Sequence, residues 1–309
     1  MLAGLTARPK ELPPKYFYDA RGSALFEEIT ALPEYFPTRT EAALLAAHVD
    51  EMAQLAARSG ASTLVELGSG SSAKTRLLLD ALSRAGTLRR YVPQDVSEAA
   101  LRGALDALAE RYPTLALHGV VGDFTRHLHL LPASTDDGGS RRLVAFLGGT
   151  IGNLAPAERA VFFGRLRAAL EPGEQLLLGA ALVTDPEVLV AAYDDAAGVT
   201  AEFNRNVLHV LNRELSADFA VDAFAHVARW DAEQERVEMR LRARRPMAVT
   251  VRDLGLVVEF TAGEELRTET SAKFRTAGVA AELDAAGFEP VRTWVDPQER
   301  FALTLSTAA

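Results

Sequence analysis

The chain predicts an α/β protein, an open Rossmann-like sheet of mostly parallel strands finished by an antiparallel hairpin, with a smaller α+β domain added to it. Three observations predict this. An apolar run from Thr63 to Leu67 collapses into the glycine-rich turn Gly68-Ser69-Gly70 and then into a helix; strand-like and helix-like segments alternate from residue 61 onward; and the last twenty residues read as two strands joined by a short loop. With 309 residues, 48% hydrophobic and 24% charged, the chain has material for a full core and for two modest domains.

Gly68 and Gly70 let the backbone turn tightly and approach a ligand, and Ser71, Ser72 and Thr75 fall where the next helix starts, a helix reaching from about Lys74 to Arg84. A second strand runs to Gln94, Asp95 ends it, and Ser97 caps a helix with apolar residues at helical spacing. LALHGVVGDF is a third strand closing on Gly122, Asp123 and Phe124. PASTDDGGSRR is a polar turn, LVAFLGGTIGNL is a fourth strand entering a glycine-rich loop, and Pro156 opens a helix that Pro172 and Gly173 stop. QLLLGAAL is a fifth strand. Towards the end, Gly278 to Ala286 form an amphipathic helix stopped by Gly287, and VRTWVD and RFALTLSTA pair antiparallel.

Residues 184 to 272 have a different texture: two helical stretches, a hairpin in which Val237, Met239 and Leu241 alternate with Glu238, Arg240 and Arg242, and the strand LGLVVEF. The expected division is a cofactor-binding domain of residues 41–183 and 273–309, and a substrate-binding domain of residues 1–40 and 184–272.

Composition narrows the function. The 42 acidic and 33 basic residues leave a net charge of −9, which repels nucleic-acid phosphates, so no nucleic-acid partner is expected. The absence of cysteine removes disulfides, zinc-thiolate sites, iron–sulfur clusters and thiol catalysis together. The histidines, the pair His127 and His129 included, lack metal-site spacing and read as loop or surface residues, so no metal is expected. No apolar run approaches the roughly 20 residues of a membrane span, and no signal-peptide core is seen. A cytoplasmic monomer without a membrane partner is the expectation.

The turn itself has a diagnostic detail. A dinucleotide pyrophosphate wants G-x-G-x-x-G with free amides at the helix start, whereas here Ala73 takes the last position and Glu66 sits on the strand end. ELGSG fits the first motif of S-adenosylmethionine-dependent methyltransferases, and the terminal hairpin suits their sheet; another nucleotide binder or a plain tight turn fits the same glycines. Asp95 lies where a carboxylate accepts hydrogen bonds from ribose hydroxyls, or it is a helix N-terminal acid stabilised by the dipole. Asp123 and Phe124 suit an adenine, or are a loop acid and a core ring. Lys74 suits a cofactor carboxylate, or is an exposed lysine in a first helical turn. Asn153 faces the transferred group in such folds, or is turn chemistry after glycine.

The segments PPKYFYDARGSALFEEIT, LPEYFPTRTEA, ELGSGSSAKTR, GTIGNL, YDDAAGVTAEFNRNVL and LRTETSAKFR together resemble those of bacterial L-histidine Nα-methyltransferases, which open ergothioneine biosynthesis. The resemblance spans nearly the whole chain. It implies a class I methyltransferase that trimethylates the histidine α-amine to hercynine, using S-adenosylmethionine and releasing S-adenosylhomocysteine. It places cofactor contacts on Gly68, Lys74, Asp95, Asp123 and Phe124. Substrate contacts fall on Tyr35 and Tyr193 for the carboxylate, Asn153 for the amine, and Glu269 and Ser271 for the imidazole. Thr200 and Met239 line the pocket, and Tyr18 and Phe26 lie near the methylated nitrogen.

Chemistry supports these placements. An ionised Glu269 only accepts, so it selects a ring N–H over side chains lacking one; read without the resemblance, it is a surface acid in the charged stretch GEELRTET. Ring faces of Tyr18 and Phe26 stabilise a quaternary nitrogen by roughly 0.5–2 kcal/mol. Competing expectations are a methyltransferase for another amino acid such as tryptophan and a cofactor-binding regulator without turnover; the turn and the hairpin disfavour a nicotinamide oxidoreductase.

Overall fold

The computed structural model describes residues 1–70, 72, 74–132 and 140–309; Ser71 and Ala73 of the glycine-rich loop and residues 133–139 of the expected polar turn lie outside the described residues. Two compact units divide the chain, Met1–Phe36 with Thr184–Ala272, and Pro37–Val183 with Lys273–Ala309. The first boundary falls ahead of residue 40 because residues 37–40 belong to the opening turn of the helix Phe36–Arg58, whose Leu45, Met52 and Ala56 pack into the core of the second unit.

That unit is built on the strand Ala61–Leu67, buried throughout except at Ser62, as a strand covered on both faces must be. Arg90–Asp95 and Arg141–Phe146 pair parallel on its two sides, and Gln175–Ala181 follows Arg141–Phe146, also parallel. Phe301–Ala308 then inserts antiparallel between Gln175–Ala181 and Phe288–Val295, which is the expected terminal hairpin. Chain order reverses at Ala61–Leu67, so the carboxyl ends of the parallel strands deliver the loops after Leu67, Asp95, Val121 and Phe146 to one edge, where open α/β sheets bind ligands.

The third strand corrects the expectation of one continuous run. It consists of two short pieces, Ala116–Leu117 and Val120–Val121, both paired with Arg90–Asp95. Gly119 lies at the break: a Cβ there would stand 2.6 Å from Leu105 Cδ1, because the helix Glu98–Arg111 packs directly on this backbone. The last helix, Thr276–Ala285, buries only Val279 and Leu283, a narrower apolar face than its sequence suggests.

The first unit holds a four-stranded sheet in the order Lys10–Glu11, Glu265–Ala272, Arg236–Ala243, Phe224–Asp231, and a separate hairpin of Met247–Val251 with Leu256–Phe260. Its core joins Phe203, Val207, Leu208 and Leu211 of the helix Val199–Glu214 to Val237, Met239 and Leu241, the expected apolar face of the hairpin. Glu238 on the opposite face is nevertheless buried. Burial pushes its carboxyl up, but Arg240, Arg236 and Arg267 around it hold it below the ordinary carboxylate range.

Candidate active site

In the second unit the turn after Leu67 is held by the neighbouring strand. The amides of Gly68 and Ser69 donate to the carbonyl of Gln94 at 2.8 and 3.1 Å. Gly70 N–H donates to Asp95 Oδ2 and Ser97 N–H to Asp95 Oδ1, both at 2.8 Å. Asp95 thus braces both the turn and the start of the next helix, and each oxygen keeps a second lone pair for a hydroxyl donor. Both glycines lie at positive φ, +68° and +51°, which L side chains adopt only with strain.

Space and chemistry around the turn fit a nucleoside cofactor. Among the described residues, a Cβ added to Gly70 would meet nothing within 4 Å, and one on Gly68 would touch only the Phe124 ring, 3.9 Å away. Phe124 is fixed against Phe146 and Phe162, with centroids 4.9 and 5.8 Å apart. Asp123 beside it is oriented by Thr125, whose amide and hydroxyl donate to Oδ1 at 2.9 and 2.6 Å, and its own amide donates to His127 Nδ1 at 3.0 Å. The buried Ser69 hydroxyl and Gln94 amide have no hydrogen-bond partner among the described residues, as suits a site completed by a polar ligand.

Beneath the turn lies a buried carboxyl. Glu66 accepts from the hydroxyls of Thr75 and Tyr91, and burial pushes its carboxyl up to about 7. Ser72 Oγ lies 2.9 Å from the Tyr91 hydroxyl, so Glu66 ties strand, loop and helix together from below.

Lys74 differs from an exposed lysine in a first helical turn. It occupies the N-cap of Thr75–Arg84, and its ammonium pairs with Glu41, whose carboxylate is fully buried. The other oxygen of Glu41 accepts from Gly148 N–H at 2.7 Å. Gly148 and Gly149, at φ +79° and +69°, lead into the 3-10 turn Thr150–Asn153, and Asn153 ends it half-buried. Glu41 therefore links the lysine to the loop that carries Asn153.

In the first unit, Asn206 pins the segment before the helix Ala20–Ala31. Its Nδ2 donates to Asp19 Oδ1 at 2.8 Å and lies 3.4 Å from the Phe17 carbonyl, while Asp19 caps the helix by accepting from Gly22 N–H. A Cβ at Gly22 would fall 1.7 Å from the Phe17 carbonyl oxygen, so only glycine lets the chain close here. The closure brings the expected aromatics together: Tyr18 and Phe26 meet edge to face at 5.7 Å, Phe26 and Tyr35 at 6.2 Å, Tyr35 and Tyr193 at 6.1 Å. Phe203, absent from the sequence expectations, packs under Tyr18 and Phe26 at 5.7 and 5.9 Å.

Glu269 and Ser271 lie on the strand Glu265–Ala272, Ser271 accepting from the Tyr193 hydroxyl at 2.8 Å. A bulge after Arg267 leaves Thr268 outside the pairing, so Glu269 stands opposite Met239 and Ser271 opposite Val237. Cross-strand partners share a face, so both polar residues lie on the side of the buried Met239 and Val237. Glu269 is half-buried, not the surface acid its charged surroundings suggest. Thr200 is buried at the start of the helix Val199–Glu214, its amide donating to Asp195 at 2.7 Å. The cofactor candidates and Asn153 thus belong to the second unit, and the other substrate candidates belong to the first.

The reading of all histidines as loop or surface residues is corrected by His226, whose side chain is 3% exposed on the strand Phe224–Asp231. Its Nε2 lies 2.8 Å from the Tyr193 carbonyl and so donates to it, and its Nδ1 accepts from Asn204 Nδ2 at 2.8 Å. Burial pushes this imidazole below the ordinary histidine range, which keeps it neutral. Alternation of Phe224, His226, Ala228 and Trp230 was the available signal for its inward face; no local pattern announces Glu41. Among the described residues no group of three His, Asp or Glu side chains is placed to hold a metal, and no helix is long and apolar enough to cross a membrane.

Sheet order, with its terminal antiparallel hairpin and the braced glycine turn at the reversal point, is that of the class I methyltransferase fold. A family model described as a histidine-specific, S-adenosylmethionine-dependent methyltransferase matches residues 1–308. The histidine N-alpha-methyltransferase of Mycolicibacterium smegmatis is 56% identical over 304 residues, covering 98% of this chain and 92% of that protein. Ergothioneine biosynthesis protein 1 of Neurospora crassa is 35% identical over 204 residues, 66% of this chain and 23% of that protein. In fold alone, the magnesium protoporphyrin IX methyltransferase of Synechocystis PCC 6803, solved with bound S-adenosylhomocysteine, is similar with a TM-score of 0.50, at 13% identity over 96% of this chain and 97% of that one. The chain belongs to the histidine-specific methyltransferase family.

Proposed function

We propose that this chain methylates the α-amine of L-histidine with S-adenosylmethionine, three times in succession, to give hercynine, as the first step of ergothioneine biosynthesis. The observation that carries the choice of substrate is the pairing of Glu269 with Met239 and Ser271 with Val237, which sets a carboxylate acceptor and a hydroxyl on an otherwise apolar face. An imidazole, flat and bearing an N–H, matches that face. It acts on free histidine as a cytoplasmic monomer, in keeping with its acidic charge of −9.

Bound S-adenosylmethionine supplies an electrophilic methyl group on a cationic sulfur. Asp95 accepts from the ribose hydroxyls, Phe124 covers the adenine beside Asp123, and the Lys74 ammonium, already held by Glu41, keeps donors for a carboxylate. On the substrate side, Tyr35 and Tyr193 hold the histidine carboxylate, for which the Tyr193 hydroxyl turns from its present acceptor, Ser271. The Asn153 carbonyl accepts from the amine, orienting its lone pair once it is deprotonated. Chemistry is then mostly orientation and exclusion of water. As methyls accumulate, the nitrogen becomes a fixed cation, and the ring faces of Tyr18 and Phe26 stabilise it.

Methylation of a panel of amino acids with product masses recorded tests this. Histidine is expected to give the trimethyl product as the end point. A monomethyl end product, or a rate with tryptophan equal to that with histidine, contradicts the proposal.

A further inference from the structure

We infer that Thr268, Asn204 and His226 form a buried relay of positioning residues that holds the strand bulge aiming Glu269 and Ser271 at the substrate imidazole. The inference rests on the assignment of Glu269 to imidazole recognition and goes beyond it.

Side-chain parity along a strand gives the reason. In the antiparallel pairing, Leu266 stands opposite Leu241 and Arg267 opposite Arg240; then one residue is skipped, and Glu269 stands opposite Met239. In a regular ladder Thr268 would face Met239 and Glu269 would face Glu238, on the side already filled by Arg236, Arg240 and Arg267. A shift of one residue turns every following side chain over. The bulge alone places the recognition carboxylate on the apolar face.

Thr268, the skipped residue, is fully buried, and its hydroxyl lies 2.6 Å from Asn204 Oδ1 and 3.0 Å from the Met239 carbonyl. Asn204, also fully buried, comes from the helix Val199–Glu214; its Nδ2 donates to the Arg240 carbonyl at 3.1 Å and to His226 Nδ1 at 2.8 Å. His226 passes the chain on by donating from Nε2 to the Tyr193 carbonyl at 2.8 Å. The one Thr268 hydroxyl proton faces two acceptors, and the shorter contact assigns it to Asn204 Oδ1 over the Met239 carbonyl; from Asn204 onward donors and acceptors alternate, and the bonds fix the amide orientation and the imidazole tautomer. The relay ends at two backbone points, the bulge before Glu269 and the turn carrying Tyr193. Packing alone would be served by apolar side chains, whereas a satisfied polar network specifies one geometry.

Steady-state kinetics of the full chain test this with Thr268→Val, Thr268→Ala and Thr268→Ser. Removing the hydroxyl leaves Asn204 Oδ1 buried without a donor, so the Val variant should raise the histidine KM by about tenfold or more while the S-adenosylmethionine KM stays within about twofold. Thr268→Ala replaces it should the Val variant fail to fold. Thr268→Ser, which keeps the hydroxyl, should return the histidine KM to near the wild-type value. An unchanged histidine KM without the hydroxyl, a parallel change in both KM values, or a Ser variant as impaired as Val overturns the relay. Wild-type protein that does not methylate histidine overturns the functional assignment itself, a result visible before any variant is made.

Discussion

Glu269 shows how far a residue's surroundings in sequence and in space can diverge. Its immediate neighbours Arg267, Thr268 and Thr270 are charged or polar, the signature of a solvated face, yet the bulge at Thr268 turns it to the side of Met239. Replacing it with alanine should raise the histidine KM by about tenfold to a hundredfold, since a buried ring N–H loses its acceptor, and should leave S-adenosylmethionine affinity nearly intact by calorimetry. Glu66 gives a second test at this scale. Burial pushes its folded-state carboxyl up to about 7 from an ordinary 4.5. Between those two pH values the unfolded chain is ionised while the folded chain keeps its proton, so rising pH removes stability across that window and changes it no further above it. Glu66→Gln should abolish that component, worth about 3 kcal/mol, seen as a difference in denaturant midpoints between variant and wild type from pH 4.5 to pH 7. Parallel pH profiles for the two proteins would contradict it.

Elements were legible where periodicity and glycine speak locally, and less so where packing decides. Thr63 to Leu67 and the terminal strands announce themselves by apolar runs between turn residues, but the split third strand depends on the approach of Leu105 to Gly119, which no local pattern encodes. Asn204 had a faint signal, since it shares a helical stripe with the buried Leu208 and Leu211, while Thr268 had none because a bulge is invisible without its partner strand. Gly179 tests the element-level assembly in the second unit. A Cβ there would fall 2.3 Å from Glu41 Oε1, the oxygen that accepts from Gly148. Gly179→Ala should therefore cost about 1–3 kcal/mol by denaturant melts. It should also weaken S-adenosylmethionine binding in calorimetry, because Lys74 and the Gly148 loop lose their common anchor; full stability with unchanged binding would contradict the role given to Glu41.

At the scale of the whole molecule, the chain separates its tasks. One unit is a reversed-order sheet with the cofactor candidates at the carboxyl ends of its strands, and the other gathers Tyr18, Phe26, Tyr35, Tyr193 and Glu269 on a small sheet and its helices. The class of the first was readable from the glycine turn and the hairpin. The second required long-range pairing between residues far apart in sequence, such as Tyr193 with Ser271 and Asn206 with Asp19, and resemblance rather than pattern pointed to it. Light scattering after size exclusion should give a mass near the 33.3 kDa of one chain, and a doubled mass would contradict the monomer. The central claim is that the Glu269 face receives the substrate ring. A crystal structure with histidine and S-adenosylhomocysteine tests it most directly: an imidazole nitrogen within hydrogen-bond distance of the Glu269 carboxylate, with Ser271 beside it, is the expected result, and a ring lodged elsewhere with Glu269 unengaged would contradict it.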